Sequence, residues 1–364
     1  MDRNKKFTVG GLCSGVGGIE YGFKKAGFDI SWANDMDKYA MQTYGALHHT
    51  NHYIGKKPHT IKEILNDKNL NQLLSKVDVL VSGFPCQPFS LAGHRKGFED
   101  ERGTVIGDIF ELVKVIGRPK VLFLENVKNF RNHDGGKTFS HIREYLQKEL
   151  KYSVCDIIFN TCDYTKIPQN RERTFMICFK DEPLWEHPDI FNDINTLKSI
   201  APLTSLFYEN LPNRNAMTDP KANFLSEEIN DNDLYSKDHF PEYFKMLEKA
   251  YSDSNGNEKT FYQIRRIYAR FNANERCPTL TANMGTGGHN VPIIVQKINN
   301  NKIWRRLTPK ECFNLQGFPK PFKLPKKIPN GQLYKQAGNS VSVPLIQVLA
   351  GLIKVSLLKP TVNQ

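Results

Sequence analysis

The chain has 364 residues, enough for one large core and a second, smaller one, and carries a net charge of +12 with a pI near 9.2, a balance that favours a polyanionic partner. Its seven cysteines form neither CxxC pairs nor an evenly spaced framework, which excludes a disulfide scaffold and a structural zinc site and points to a reducing compartment. No signal peptide opens the sequence and no apolar run approaches the ~20 residues of a membrane span, so a soluble intracellular protein is expected.

Phe7 to Leu12 reads as a buried strand. The glycine-rich block Gly11-Leu12-Cys13-Ser14-Gly15-Val16-Gly17-Gly18 follows, and then a helical pattern over Ile19 to Ala26. In that setting glycines let backbone approach a ligand at a helix amino terminus. The dinucleotide fingerprint is incomplete: Gly15 and Gly17 fill its first two positions, but Glu20 stands where the third glycine belongs, which argues against a pyrophosphate ligand. A second strand, Ile30 to Asn34, ends at Asp35, where a carboxylate can bind ribose hydroxyls. The block reads either as a site for a nucleoside without phosphates or as a tight turn beside a surface acid. His48, His49 and His52 have no cysteine or carboxylate at ligand spacing and read as a solvated helix end.

The apolar run Val77 to Ser82 leads into Gly83-Phe84-Pro85-Cys86-Gln87-Pro88-Phe89-Ser90. Pro85 and Pro88 fix their own backbone and push Phe84 and Gln87 out of helical space, so Cys86 sits in a stiff loop leaving a buried strand. It is either a nucleophile or a small apolar residue packing that loop. After a helical stretch over Ile106 to Ile116, the strand Val121 to Leu124 ends in a carboxylate, Glu125. Buried there, its pKa would be raised and it could stay protonated; otherwise it caps the next turn. A helical stretch over Ile142 to Leu150 and strands Val154 to Phe159 and Thr174 to Phe179 complete an alternation that predicts a βαβ sheet. Ligands of open α/β sheets bind at the carboxyl ends of the strands, so Cys86 and Glu125 are expected to face one pocket from neighbouring strands.

After Lys180 the composition changes. Residues 181–260 hold 16 acids against 7 basic residues, whereas 261–302 carries Arg265, Arg266, Arg270, Arg276, Lys297 and Lys302 against Glu275 alone. Any anion-binding surface in this region therefore belongs to the second piece. Thr308-Pro309-Lys310-Glu311 is a capping box with proline at the first helical position, and Pro344 to Leu358 reads as a terminal helix.

The glycine loop, the Pro-Cys loop, the Glu125-Asn126-Val127 strand end and Gln169-Asn170-Arg171-Glu172-Arg173, in this order, resemble the blocks of the DNA cytosine-5 methyltransferases. Arg306-Leu307-Thr308-Pro309-Lys310-Glu311 with Gln316-Gly317-Phe318-Pro319, and Gln336-Ala337-Gly338-Asn339-Ser340-Val341, agree as well. The resemblance implies an α/β fold: a Rossmann-like S-adenosylmethionine-dependent methyltransferase domain with a mostly parallel sheet, from 1–180 and 303–364, plus a smaller, irregular β-containing target-recognition domain over 181–302. It implies S-adenosylmethionine as cofactor, held by Cys13, Ser14, Gly15, Gly17, Gly18, Asp35, Met36 and Pro85, with Asn339, Ser340 and Val341 completing the pocket. This chain departs from the family pattern at Gly11 and Cys13, where Asp and Phe are common, and shows no adenine-reading acid near His59 and Thr60.

The resemblance further implies that Cys86 adds to the 6-carbon of a flipped-out cytosine, that Glu125 supplies a proton or strong hydrogen bond at the 3-nitrogen, and that Arg173 and Arg171 hold the 2-carbonyl and lower the thiol pKa. Gln87 and Ser90 would fill or line the vacated gap in double-stranded DNA. Thr279 and Thr281 would support the flipped nucleotide's backbone, and Arg265, Arg266 and Arg270 would contact phosphate or guanine. A bacterial or phage modification enzyme is the expected setting: monomeric, cytoplasmic, associated with the nucleoid through DNA, and paired with a restriction endonuclease. Three other readings are a transfer-RNA cytosine-5 methyltransferase, a nicotinamide-dependent oxidoreductase built on the glycine loop, and a regulator that has lost catalysis.

Overall fold

The computed structural model describes residues 6–50, 52–85, 105–180, 224–225, 233–286, 290–298 and 301–358. Cys86, Gln87 and Ser90 lie outside them. The described residues form two compact units: one runs to Phe159 and adds Glu172 to Lys180 and the helix from Val343; the other joins Asn160–Arg171 to what lies between Lys180 and Val343.

The first unit is the expected α/β domain. Its six-stranded sheet has the order β2 (Asp29–Asn34), β1 (Thr8–Leu12), β3 (Val79–Ser82), β4 (Val121–Val127), β6 (Glu172–Phe179), β5 (Ser153–Asn160). β1 pairs in parallel with β2 and β3, β3 pairs in parallel with β4, and β6 runs antiparallel to β4. β3 is buried along its whole length, as are the first six residues of β4, which explains their near-continuous apolar runs. Helices α1 (Gly18–Lys25), α2 (Lys38–His48), α3 (Ile61–Asn66), α4 (Lys68–Gln72), α5 (Val105–Val115) and α6 (Lys137–Lys148) join the strands. The core includes Phe110 of α5 stacked on Tyr145 of α6, ring centroids 4.7 Å apart.

The second unit begins with the single turn α7 (Thr161–Tyr164) and holds a five-stranded antiparallel sheet ordered β7 (Leu234–Tyr235), β11 (Asn301–Arg306), β10 (Ile293–Ile298), β8 (Tyr262–Ile264), β9 (Ala269–Phe271). Helix α8 (Pro241–Asp253) packs on it through Leu247 and Ala250, and Trp304 donates its indole hydrogen to Glu248. The sequence boundary at 302/303 falls inside β11, which pairs with β10 along its whole length, so the division moves. The capping box forms as read: Thr308 and Glu311 close α9 (Pro309–Asn314), and Glu311 also takes a fully buried two-pronged bond from Arg305 at 2.8 Å. Helix α10 (Asn330–Asn339) ends this unit.

Helix α11 (Val343–Leu358) returns to the first unit. An 18-residue window within Asn330–Leu358 is apolar enough by composition to cross a membrane, contrary to the sequence expectation, and 56% of it is buried within the protein. Its residues serve a core: α11 lies so close to α1 that a side chain at Gly22 would fall 2.6 Å from Ile346.

Candidate active site

The parallel register aligns four strand ends. Leu12 lies opposite both Asn34 and Ser82, and Ser82 opposite Leu124. Cys13, Asp35, Gly83 and Glu125 are therefore each one residue beyond a common row. This edge includes the point where strand order reverses between β1 and β3, the place where open α/β sheets bind ligands. The three loops do meet: a Cβ at Gly83 would stand 3.6 Å from Glu125 Oε2 and 4.0 Å from the Cys13 carbonyl oxygen.

The glycine turn is held by partners distant in sequence. Gly15 N–H donates to Asp35 Oδ2 at 2.7 Å, Asp37 N–H donates to the other oxygen at 2.9 Å, and the Tyr53 hydroxyl donates to the Gly15 carbonyl at 3.0 Å. Burial pushes the Asp35 carboxyl up and the two amides pull it back. Gly17 has φ +79°, and any side chain there would strike Tyr44 and His48. His48 Nε2 faces the Gly17 carbonyl at 3.2 Å and its ring stacks on Tyr44 with centroids 4.1 Å apart. His48 is thus a buried prop and no part of a solvated helix end. Desolvation takes its pKa down to about 3. His52 Nδ1 lies 3.2 Å from the Tyr44 hydroxyl. Tyr44, His48 and Tyr53 escape a motif-based reading; the one signal for them is an aromatic cluster shortly after a glycine block.

Buried polar atoms are nearly always hydrogen-bonded. Along this edge Asn34 Oδ1 is buried with no such partner among the described residues, and Ser14 Oγ with the Glu20 carboxyl, like Ser82 Oγ with the Cys13 thiol, has at most its immediate neighbour. A polar ligand at the strand ends fits that pattern. Met36, 71% exposed, offers a thioether beside Asp35. Cys13 is half-buried, and desolvation pushes its thiol up to about 12, which makes it a poor nucleophile.

Glu125 and Asn126 are buried at the end of β4. Arg173, opposite Val127 on β6, brings its Nε to 3.1 Å from Glu125 Oε1. Burial lowers the Arg173 pKa and the negative charge of Glu125 raises it again. Asn126 Nδ2 donates to the Phe84 carbonyl at 3.1 Å, and the Phe84 ring meets Phe130 edge-on at 5.4 Å, so the root of the Pro-Cys loop is fixed as far as Pro85.

Arg171 departs from expectation. It is fully buried, and its guanidinium donates to the carbonyls of Leu280 at 2.7 Å, Gly338 at 3.1 Å and Ser340. Spent on three backbone acceptors, it is a strut of the second unit and not a hand for substrate. It ties down the backbone around Asn339, Ser340 and Val341, where α10 ends.

In the second unit Thr279 donates its hydroxyl to the Asn170 carbonyl, and a cleft of about 600 Å³ is lined in part by Gln263, Arg265, Arg270, Thr279 and Thr281. Gln263 Oε1 accepts from Arg270 Nε at 3.2 Å, Arg270 Nη2 at 2.8 Å and Arg265 Nη2 at 3.3 Å. Arg266 is exposed on the turn between β8 and β9 and does not line the cleft.

The family model for C-5 cytosine-specific DNA methylases matches residues 7–355. The chain belongs to this family. It is 43% identical to the type II methyltransferase M.Bsp6I of Bacillus sp. (strain RFL6), over 96% of this chain and 99% of that protein. It is 32% identical to M.HhaI of Haemophilus parahaemolyticus, over 93% and 91%. Among solved structures, the Dnmt2 methyltransferase of S. pombe shares the fold, with a TM-score of 0.67 at 18% identity over 97% of this chain and 98% of that one. The protein is a DNA cytosine-5 methyltransferase that uses S-adenosylmethionine, and the transfer-RNA, oxidoreductase and regulator readings give way to it.

Proposed function

We propose that this methyltransferase modifies a cytosine flipped out of a specific double-stranded DNA sequence, through a covalent bond to Cys86. The observation supporting this most is the Glu125–Arg173 pair, which stands one residue past the aligned strand ends beside the root of the Pro-Cys loop. Cysteine is the one side chain in that loop able to attack an electron-poor ring carbon, and attack at the 6-carbon makes the 5-carbon nucleophilic. Glu125 holds a proton or strong hydrogen bond at the 3-nitrogen, where negative charge develops. Arg173 orients Glu125, offers its remaining N–H groups to the 2-carbonyl and favours the thiolate of Cys86. S-adenosylmethionine supplies an electrophilic methyl group when bound. Gly15, Gly17 and Gly18 would hold its methionine part, Asp35 its ribose and Met36 its adenine face, with Pro85 beside them.

The flipped-out cytosine leaves a gap that Gln87 and Ser90 fill, while Thr279 and Thr281 support the displaced backbone and Arg265, Arg266 and Arg270 bind DNA. We read the enzyme as a monomer in a prokaryotic cytoplasm, and the type II names of its relatives support a pairing with a restriction endonuclease. The test is denaturing electrophoresis after incubation with cofactor and target DNA carrying 5-fluorocytosine. A stable protein–DNA adduct is expected from the wild type and none from Cys86→Ala. An adduct, or continued methylation, with the alanine variant would overturn the assignment.

A further inference from the structure

One residue at the cofactor edge has no role in the reading above. Glu20 belongs to the first turn of α1, yet its side chain folds back under the glycine turn and is fully shielded from solvent. Its carboxyl fills the space that a side chain on Gly11 would take: a Cβ at position 11 would lie 1.9 Å from Glu20 Oε1 and 2.7 Å from Ser14 Oγ. Position 11, on β1, is one where the related blocks often carry aspartate. Beyond the neighbouring Ser14 hydroxyl and its own backbone amide, neither oxygen of Glu20 has a hydrogen-bond partner among the described residues, and no cation faces it there. A carboxyl group buried in this state is costly unless something arrives to pair with it.

The geometry points to Glu20 as the carboxylate that pairs with the α-ammonium group of S-adenosylmethionine, reaching from the helix into the space that Gly11 leaves open. The chemistry matches, since the ligand's methionine end is cationic and approaches the turn that covers Glu20. The surroundings are acidic or neutral: Asp35 at the end of β2, Cys13 in the turn, Tyr44 on α2 and Tyr53 beyond it all feel or exert charge here. Burial pushes Glu20 up to about 7 against the pull of the Ser14 hydroxyl, so near neutral pH part of the free protein carries a proton there that a cationic partner expels.

Titration calorimetry with S-adenosylmethionine and S-adenosylhomocysteine, both of which carry the ammonium, tests this inference, which rests on S-adenosylmethionine being the cofactor. Wild-type binding in the same experiment checks that premise separately. Glu20→Gln, which keeps the shape, is expected to lose about tenfold in affinity for both ligands, the equivalent of about 1.4 kcal/mol. It is also expected to lose the proton released on binding at pH 7, read from the heats in two buffers. The exchange variant Gly11→Asp/Glu20→Ala is expected to bind at least fivefold more tightly than Glu20→Ala alone. Affinity within twofold of wild type and unchanged proton release in Glu20→Gln, or no gain in the exchange variant, would overturn it.

Discussion

Arg173, near the start of β6, and Glu125, near the end of β4, meet at 3.1 Å because the two strands run antiparallel and place Val127 opposite Arg173. The pair is almost buried, so each partner depends on the other. Glu125→Gln keeps size and packing and removes the acid. Methyl transfer from labelled cofactor should fall by about 10²- to 10⁴-fold with little change in melting temperature. Arg173→Ala leaves a buried carboxylate without its cation and should cost about 3 kcal/mol or more in urea denaturation. Arg173→Lys should recover much of that stability and little of the activity, because a point charge cannot reproduce the planar fork.

Arg171 should behave differently from Arg173 although it is two residues away. Arg171→Ala strips three buried carbonyls of their donor, and a loss of about 3 kcal/mol or more is expected. The fraction of molecules still folded at low temperature should retain near-normal turnover with a given DNA. A collapse of kcat without loss of stability would contradict the strut assignment.

His48 makes stability depend on pH. The unfolded chain takes up a proton at this residue below about pH 6.5, whereas the folded protein does so only near 3, so stability is lost as pH falls through that window. The slope from this group is at most about 1.4 kcal/mol per pH unit. His48→Gln removes it. Urea denaturation at pH 7, 6 and 5 should show the wild type losing ground relative to the variant, and a constant difference would refute the account.

The cleft of the second unit separates two kinds of arginine. Arg270 is fixed by Gln263 through two of its nitrogens, and Arg270→Ala should cost about 1–3 kcal/mol in binding and relax the recognition sequence, seen by bisulfite sequencing of methylated DNA. Arg266, exposed on the turn, should instead weaken binding to all sequences alike on change to alanine and reduce the salt slope by about one.

What could be read from residue order was whatever interrupts a strand. Glu125 ends an apolar run, the glycine turn follows one, and Thr308 with Glu311 announces a helix start; each is local, and each stands in the fold as read. His48 was illegible because its burial is decided by Gly17, 31 residues earlier. Arg171 and Arg173 are the same residue type in one motif, and what separates them is acceptors 109 to 169 residues further on. The 302/303 boundary cuts β11 for a related reason: it sits where the recognisable blocks resume, and a hairpin need not end where the family pattern begins.

Asp35 writes the shape of its own binding loop. Each carboxylate oxygen is already engaged by one backbone amide, Gly15 on one side and Asp37 on the other, and each retains a second lone pair. On the proposed reading, a ribose would dock by adding bonds to a carboxylate already aimed, without any amide having to let go. Little ordering entropy remains to be lost on cofactor entry, so exchange of spent cofactor for fresh can proceed on a scaffold that does not reset between turnovers.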